Sequence, residues 1–412
     1  MRKSHVRTTI KYYLLVIAVL VLLFVSGDFG LVDVQKTAIV MAVGVDREDD
    51  TFIVTSQIAI PQSSKQGKAA QTVQLVSRGK TVAAAFEEIN AKTGWYPKLV
   101  FCNLILLGET TTQTNVFDAL DFFLLNEYLS DNCLVACCDG TAKDMLNVAA
   151  LVDPSGSVAM QKVLSNHAAR VGTVFPTTLR EFTIGYFGDL QSGSLPIIKT
   201  QPQQEKIGGA GGGGVSPSSQ SEQSGQNGQN EQGGQSEQSS PTDKPVFSAG
   251  ETALFARGIR VGKLTSDETF ALGAALRDLK LAAFSVETDN ATCTLTVKNN
   301  ERKTKLQVGA DGRATLKLKI ILTAGLLDYS QSLPLEESAD GGDVPSGVFS
   351  AGEKLLAAHV QTAFDKCRIA GCDLFGVVDR MQKYHPKTYA KTKDKALETS
   401  LLELTVRFRN IR

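Results

Sequence analysis

Between Gln203 and Lys244 the chain is almost wholly Gly, Ser, Gln, Asn and Glu, with next to nothing apolar. A segment with so little to bury cannot offset the entropy lost on ordering, so it reads as a flexible tether. A tether of this size spans roughly 35 Å on average, from 5–6 Å times the square root of its length. It divides the 412 residues into two parts, each with clear apolar periodicity. The organisation expected is a signal or membrane-anchor segment over 1–27, an N-terminal folded part over 28–201, which two subdomains would also fit, the tether over 202–246, and a C-terminal domain over 247–412.

In the first part, Thr37–Val45 (TAIVMAVGV) is a continuous apolar run, the pattern of a central strand buried on both faces. Asp46–Asp50 reads as a turn, and the next strand places Phe52, Val54, Ile58 and Ile60 on one face. A helix from about Thr81 carries Val82, Phe86 and Ile89 on one stripe and ends at Gly94. Leu99–Leu107 is a strand, Asn115 caps a second helix, and Asn132–Cys138 is another strand. Thr141 opens a further helix, Leu179–Phe187 is helical, and Leu195–Lys199 is extended. The second part opens on a hairpin, Thr252–Ala256 and Ile259–Leu264 around Arg257-Gly258. A helix follows from about Asp267 to Lys280. Three strands come next, around Cys293–Val297, Leu306–Val308 and Ala314–Leu322. After a helix near Lys354–Ile369, the chain closes on a strand alternating Leu402, Leu404, Val406 and Phe408 with polar residues. Strands and helices mix without a regular βαβ repeat. The fold class is therefore α+β, with two to three mixed α/β-type domains whose antiparallel sheets are covered by helices.

Ahead of these parts, Arg2, Lys3, Arg7 and Lys11 precede an unbroken apolar run from Tyr12 to Val25. A basic flank followed by an apolar stretch is the order of an export signal, with the basic end left in the cytoplasm. Small residues at Ser26 and Gly27 suit a processing site. Two fates stay open: a retained anchor or a cleaved signal. Lys+Arg and Asp+Glu both number 43, so no net charge draws the chain to nucleic acid. The seven cysteines are odd in number and most sit in apolar runs, where a thiol behaves as a small hydrophobe.

Catalytic motifs do not emerge. The four histidines, His5, His167, His359 and His385, have no metal-binding spacing, and there is no nucleophile elbow, P-loop or zinc-protease helix. Gly209–Gly214 follows no strand and belongs to the tether. Asp46, Glu48 and Asp50 alternate like calcium ligands, but Thr51 and Gln57 stand where a calcium loop needs glycine and glutamate. Trp95, beside Tyr96 and Pro97, fits either a core edge or a contact surface. No cofactor is expected, and the chain reads as a binding and assembly protein rather than an enzyme.

Three stretches carry a family resemblance. Gly27-Asp28-Phe29 is followed by the apolar run ending in Gly44-Val45-Asp46. Gly250–Phe255 leads through Val261-Gly262-Lys263-Leu264 to Asp267-Glu268-Thr269. Asp373-Leu374-Phe375-Gly376 is followed by Tyr384-His385-Pro386-Lys387, a charged helix and a closing strand. These resemble the Ger(x)C family, the C subunits of bacterial spore germinant receptors, with Gly44, Asp46, Gly262, Asp373, Phe375, Gly376, Tyr384 and Pro386 at the motif positions. Asp28 stands where the family carries its lipid-bearing cysteine, Phe29 replaces a tryptophan, and His385 is inserted before Pro386. The resemblance implies three α/β-type domains, with a boundary near Leu190–Pro196. It also implies a non-enzymatic subunit on the outer, extracytoplasmic face of the spore inner membrane, beside a multipass A-type and a transporter-like B-type subunit. The rival expectations are an extracellular solute-binding or surface-sensing protein and an exported cell-wall enzyme.

Overall fold

The computed structural model describes residues 11–21, 37–59, 72–150, 153, 155–201, 246–288, 292–330, 344 and 346–411. The Gly27–Phe29 motif and the Gln203–Lys244 tether lie outside them. Residues 11–21 form helix α1 with its apolar side chains exposed. No described helix is long and apolar enough to cross a membrane.

The uninterrupted apolar run does form an interior strand, β1 (Thr37–Glu48), of a ten-stranded mixed sheet. It pairs antiparallel with β2 (Thr51–Ala59), which pairs antiparallel with β3 (Thr72–Gly79). Its first residues also run parallel to the short β4 (Tyr96–Lys98). On the other side, β5 (Leu104–Leu107), β6 (Leu134–Cys138) and β8 (Ser192–Gln201) follow in parallel, while β7 (Thr177–Thr178) pairs with β6. Helices cover both faces, which explains why β1 lacks alternation. On one face α2 (Val82–Thr93), α4 (Phe117–Leu124) and α8 (Leu179–Tyr186) bury Phe86, Ile89, Phe123 and Phe182. The opposite face is covered by α5 (Ala142–Asn147), α6 (Gly156–Val163) and neighbouring chain, which bury Leu146, Met160 and Leu164. Two short helices, α3 (Glu109–Thr112) and α7 (Asn166–Arg170), complete this part.

Caps explain several helix starts. Thr81 Oγ1 accepts from Ala84 N–H at 3.1 Å and Thr141 Oγ1 from Asp144 N–H at 3.0 Å, while left-handed Gly94 ends α2. Asn115 is not the cap residue of α4. Its Oδ1 accepts from Phe117 N–H at 3.1 Å in a tighter turn, so the helix begins two residues later.

The hairpin that follows the tether, β9 (Val246–Ala256) and β10 (Ile259–Leu264), is hydrogen-bonded to the first sheet. Strand β9 lies antiparallel to β8 from Ser192↔Ala256 to Gln201↔Val246. Helix α9 (Ser266–Leu276) starts with a Thr265–Glu268 capping box and is buried over nearly its whole circumference. That pattern belongs to a helix enclosed on all sides. Thr269 Oγ1 meets Thr252 Oγ1 of β9 at 3.0 Å, and Asn300 of the second sheet donates to Ala274 O and Arg277 O.

The second sheet runs β11 (Ala282–Glu287), β12 (Thr292–Val308), β13 (Ala314–Ser330) and β14 (Leu401–Asn410). Two expectations are corrected. Cys293–Val297 and Leu306–Val308 belong to one long strand: the polar run between them breaks the apolar pattern but keeps its ladder to β13, past two register shifts. The closing strand is not antiparallel. It lies parallel to β13, because the chain crosses over through the long helix Ser346–Ile369 before returning. That helix and α9 cover one face of the sheet, while Lys317 and Lys319 point away from the core.

Charge ties the hairpin to the first sheet. Lys199 of β8 bonds Glu251 of β9 at 2.8 Å and lies 3.3 Å from Asp139, at the end of β6. Arg260 also reaches Asp139, at 3.2 Å, and Lys263 reaches Glu251, at 3.0 Å. Burial pushes both acids upward, but the hydrogen bonds from these cations outweigh it and hold Asp139 and Glu251 below the usual carboxylate range. Stability from depressed carboxylates is present above their unfolded pKa, about 4, and is lost as pH falls through the folded value. The urea midpoint of Lys199→Met should therefore lie below that of the wild type at pH 7, and the gap should close below about pH 4. A gap that does not change with pH would contradict the cluster's role.

Candidate functional site

The eight motif positions do not converge on one point; they occupy three joints of the fold. The first is at the end of β1, which runs on to Glu48, so Asp46 lies within the strand rather than in the turn. Only Asp49-Asp50 turn, with Asp49 left-handed at φ 50°. Asp46 is buried, and its carboxylate takes Ala142 N–H on Oδ1 at 2.7 Å and Lys143 N–H on Oδ2 at 3.0 Å. It thus satisfies two of the donors that the start of α5 leaves open. Gly44, two residues earlier on the same face, lets α5 approach: a Cβ there would stand 2.9 Å from Leu146 Cδ1 and 3.0 Å from Ala142 Cβ. At Gly108 a Cβ would collide with the Asp46 carboxylate. The Gly-Val-Asp spacing is therefore the imprint of one close helix-on-strand contact.

The second joint is the turn after the long helix. Asp373 Oδ1 accepts from Val377 N–H at 2.8 Å and Oδ2 from Val378 N–H at 2.7 Å, opening the helix Val377–Tyr384. Gly376 stands before that helix at φ 66°, a left-handed conformation costly to any residue with a Cβ. Phe375 is buried edge-to-face against Phe364 at 5.3 Å, and Arg380 donates to the carbonyls of Phe375 and Gly376. Tyr384 is exposed, and Pro386 is the first residue of the helix Pro386–Thr392, where a missing N–H is harmless. The whole turn docks on the start of β8. Asp373 N–H donates to Ser192 Oγ at 2.9 Å, Cys372 Sγ to Gly193 O at 3.4 Å, and Tyr389 Oη to Asp189 at 2.7 Å. The third joint is Gly262 on β10, beside the register shift against β9.

Burial raises Asp46 and Asp373 above the ordinary aspartate range, and the backbone N–H bonds counter it only in part. Stability linked to such groups falls as pH rises through the folded value, the opposite sign to Asp139 and Glu251. Burial also pushes the Cys137 and Cys372 thiols up to about 12, so neither is a ready thiolate. All seven cysteines are buried and unpaired, Cys367 and Cys372 included. Among the described residues no group of three or more His, Cys, Asp or Glu side chains is placed to hold a metal ion.

A concavity lies elsewhere. A cleft of about 910 Å³ opens between the start of β9 with residues 171–174 on one side and β11 with the long helix on the other. Phe247, Phe270, Phe284 and Leu355 give it an apolar lining, while Ser266, Asp267, Glu287 and His359 add polar groups. His359 Nδ1 is buried there without a hydrogen-bond partner. None of the eight motif positions lines it, although Gly250 and Asp267 of the second resembling stretch do. The partners Ser192, Asp189 and Arg380 were not singled out from the sequence. Ser192 and Asp189 lie far along the chain from the motif they hold and belong to no pattern of their own.

With this geometry in hand, comparison with known proteins is informative. Residues 31–200 match the family described as "Spore germination protein N-terminal domain", and residues 250–409 the one described as "Spore germination B3/ GerAC like, C-terminal". The chain belongs to the Ger(x)C family of spore germination proteins. Spore germination protein A3 of Bacillus subtilis (strain 168) is 26% identical over 174 residues, 39% of this chain and 44% of that protein. The match thus spans less than half the length of that curated relative. The crystal structure of the GerBC protein superimposes with a TM-score of 0.51 over 90% of this chain and 97% of that one, at 16% identity, and shares the fold.

Removing a carboxylate that satisfies two buried N–H groups should cost about 1–3 kcal/mol, so Asp46→Ala and Asp373→Ala should each lower the urea midpoint accordingly. Asn should rescue neither fully, since its NH₂ would face a backbone donor. Unchanged midpoints would contradict the joints as drawn.

Proposed function

We propose that the chain is the C-type subunit of a nutrient germinant receptor: a non-enzymatic component held at the outer face of the spore inner membrane and assembled with a multipass A-type and a transporter-like B-type subunit. The observation that carries this is the ordered pair of germination domains, which between them span 31–200 and 250–409. The motif geometry is in keeping with it. Gly44, Asp46, Asp373, Phe375 and Gly376 are engaged in packing and in backbone hydrogen bonds of the fold itself. Side chains engaged in holding shape suit a protein whose surfaces meet other subunits. Asp28 supplies no thiol for a lipid, so the apolar run Tyr12–Val25 is the tether in this reading.

A second reading, an extracellular solute-binding or sensing protein, draws on the cleft beside His359. Thermal stabilisation of the purified protein by a small nutrient would favour it. For the main reading, spores lacking this gene should fail to germinate with nutrients yet respond to direct chemical triggers. Normal nutrient germination in a strain with no paralogue would contradict it.

A further inference from the structure

Strands β1, β5 and β6 run parallel, so their amino-terminal ends lie at one edge of the first sheet. Thr37, the first described residue after the leader helix, and the stretches 95–103 and 125–133 therefore lie at that edge. Direct contacts hold them together. Thr37 is in register with Tyr96, Asn103 N–H donates to Met41 O, Leu134 N–H donates to Asn103 O, and Lys98 Nζ lies 4.3 Å from the centre of the Tyr128 ring.

This edge carries large apolar side chains that the fold leaves uncovered: Trp95, Tyr96, Val100, Phe101, Leu125 and Tyr128, the last four at least half exposed. The carboxyl-terminal ends of the same strands carry charge instead: Glu48, Asp49, Asp50, Glu109 and Asp139 are exposed there, with Arg78 on Glu48 and Lys199 and Arg260 on Asp139. The first sheet thus differs along its strands, aromatic side chains gathering at the end where β1 begins and ion pairs at the other. Trp and Tyr, with an apolar body and a polar edge, are the residues that settle at a membrane–water boundary, and Phe and Val favour the acyl side of it.

We propose that Trp95, Tyr96, Val100, Phe101, Leu125 and Tyr128 form a face that enters the headgroup–acyl boundary of the membrane engaged by the leader, so that β1 stands with its amino-terminal end toward the lipid. The proposal rests on the reading of Tyr12–Val25 as the tether. The dozen residues from Val25 to Thr37 can reach at most about 40 Å, which makes insertion of the aromatic edge an effectively intramolecular event.

Trp95 is the only tryptophan in the chain, so its fluorescence reports this face alone. The full-length protein is reconstituted with phosphatidylcholine–phosphatidylglycerol vesicles and followed in two ways. Flotation reports the leader, and quenching of Trp95 by lipids brominated in the upper acyl chain reports the face. The protein should float, and Trp95 should lose about half its emission or more to brominated lipid. Val100→Asp with Phe101→Asp should float equally but lose most of the quenching. A reporter moved to the turn at the far end of β1, Trp95→Phe with Asp50→Trp, should not be quenched. Flotation without quenching of Trp95 would overturn the proposal and leave the tether standing, whereas failure to float would remove both. Trp95 that stays unquenched in vesicles but becomes shielded from iodide when the other receptor subunits are added would assign the face to a protein partner and overturn it as well.

Discussion

The pairing of β8 with β9 is the contact on which the rest of the molecule depends. It joins chain on either side of a long polar segment, from Ser192↔Ala256 to Gln201↔Val246. Loop-closure entropy rises only slowly with loop length, so one well-made ladder tolerates a long insertion at its end. Because β9 is built into the first sheet, α9 emerges at a fixed place and buries itself against the second sheet. The turn at Asp373 then closes back on Ser192 and Gly193 of β8. The strand that ends before the insertion is thus gripped by β9 along its length and by the last helices at its start.

Gly44, Asp46, Asp373 and Gly376 are places where backbone meets backbone at short range. Gly44 and Gly108 clear space around α5, and Asp46 fills the gap with a carboxylate that the helix start needs. Gly376 turns the chain so that Asp373 reaches two N–H groups at once. Groups engaged in this way have little freedom for chemistry. Outward the protein offers an aromatic edge where β1 begins, a charged end opposite, and a cleft between the two sheets.

Much of this was legible from residue patterns, and the reasons are local. An apolar run without alternation, as in Thr37–Val45, has to be covered on both sides, and helices that start at Thr81 or Thr141 announce themselves through their caps. The glycines and aspartates of the motif stretches sit at close contacts of the backbone. Their partners escaped notice because Asp46 finds Ala142, and Asp373 finds Ser192, only after distant chain has been brought together. The parallel placement of β14 escaped for a similar reason, since alternation in Leu402–Phe408 says which face is buried and nothing about direction. The polar run inside β12 hid its continuity, because a ladder of backbone hydrogen bonds needs no apolar side chains.

The central claim is that one sheet spans the polar insertion, and it is open to a direct measurement. Gln201 and Val246 are opposite one another in the ladder, so a two-residue Asn-Gly turn can replace residues 202–245 without moving either strand. Shortening the loop roughly twentyfold should add about 2.7 kcal/mol of stability by closure entropy, read as a raised urea midpoint with an unchanged slope. The same result is expected if β8 and β9 are partners in solution. A shortened protein that unfolds, or whose β8 and β9 amides exchange rapidly with solvent, would contradict the account.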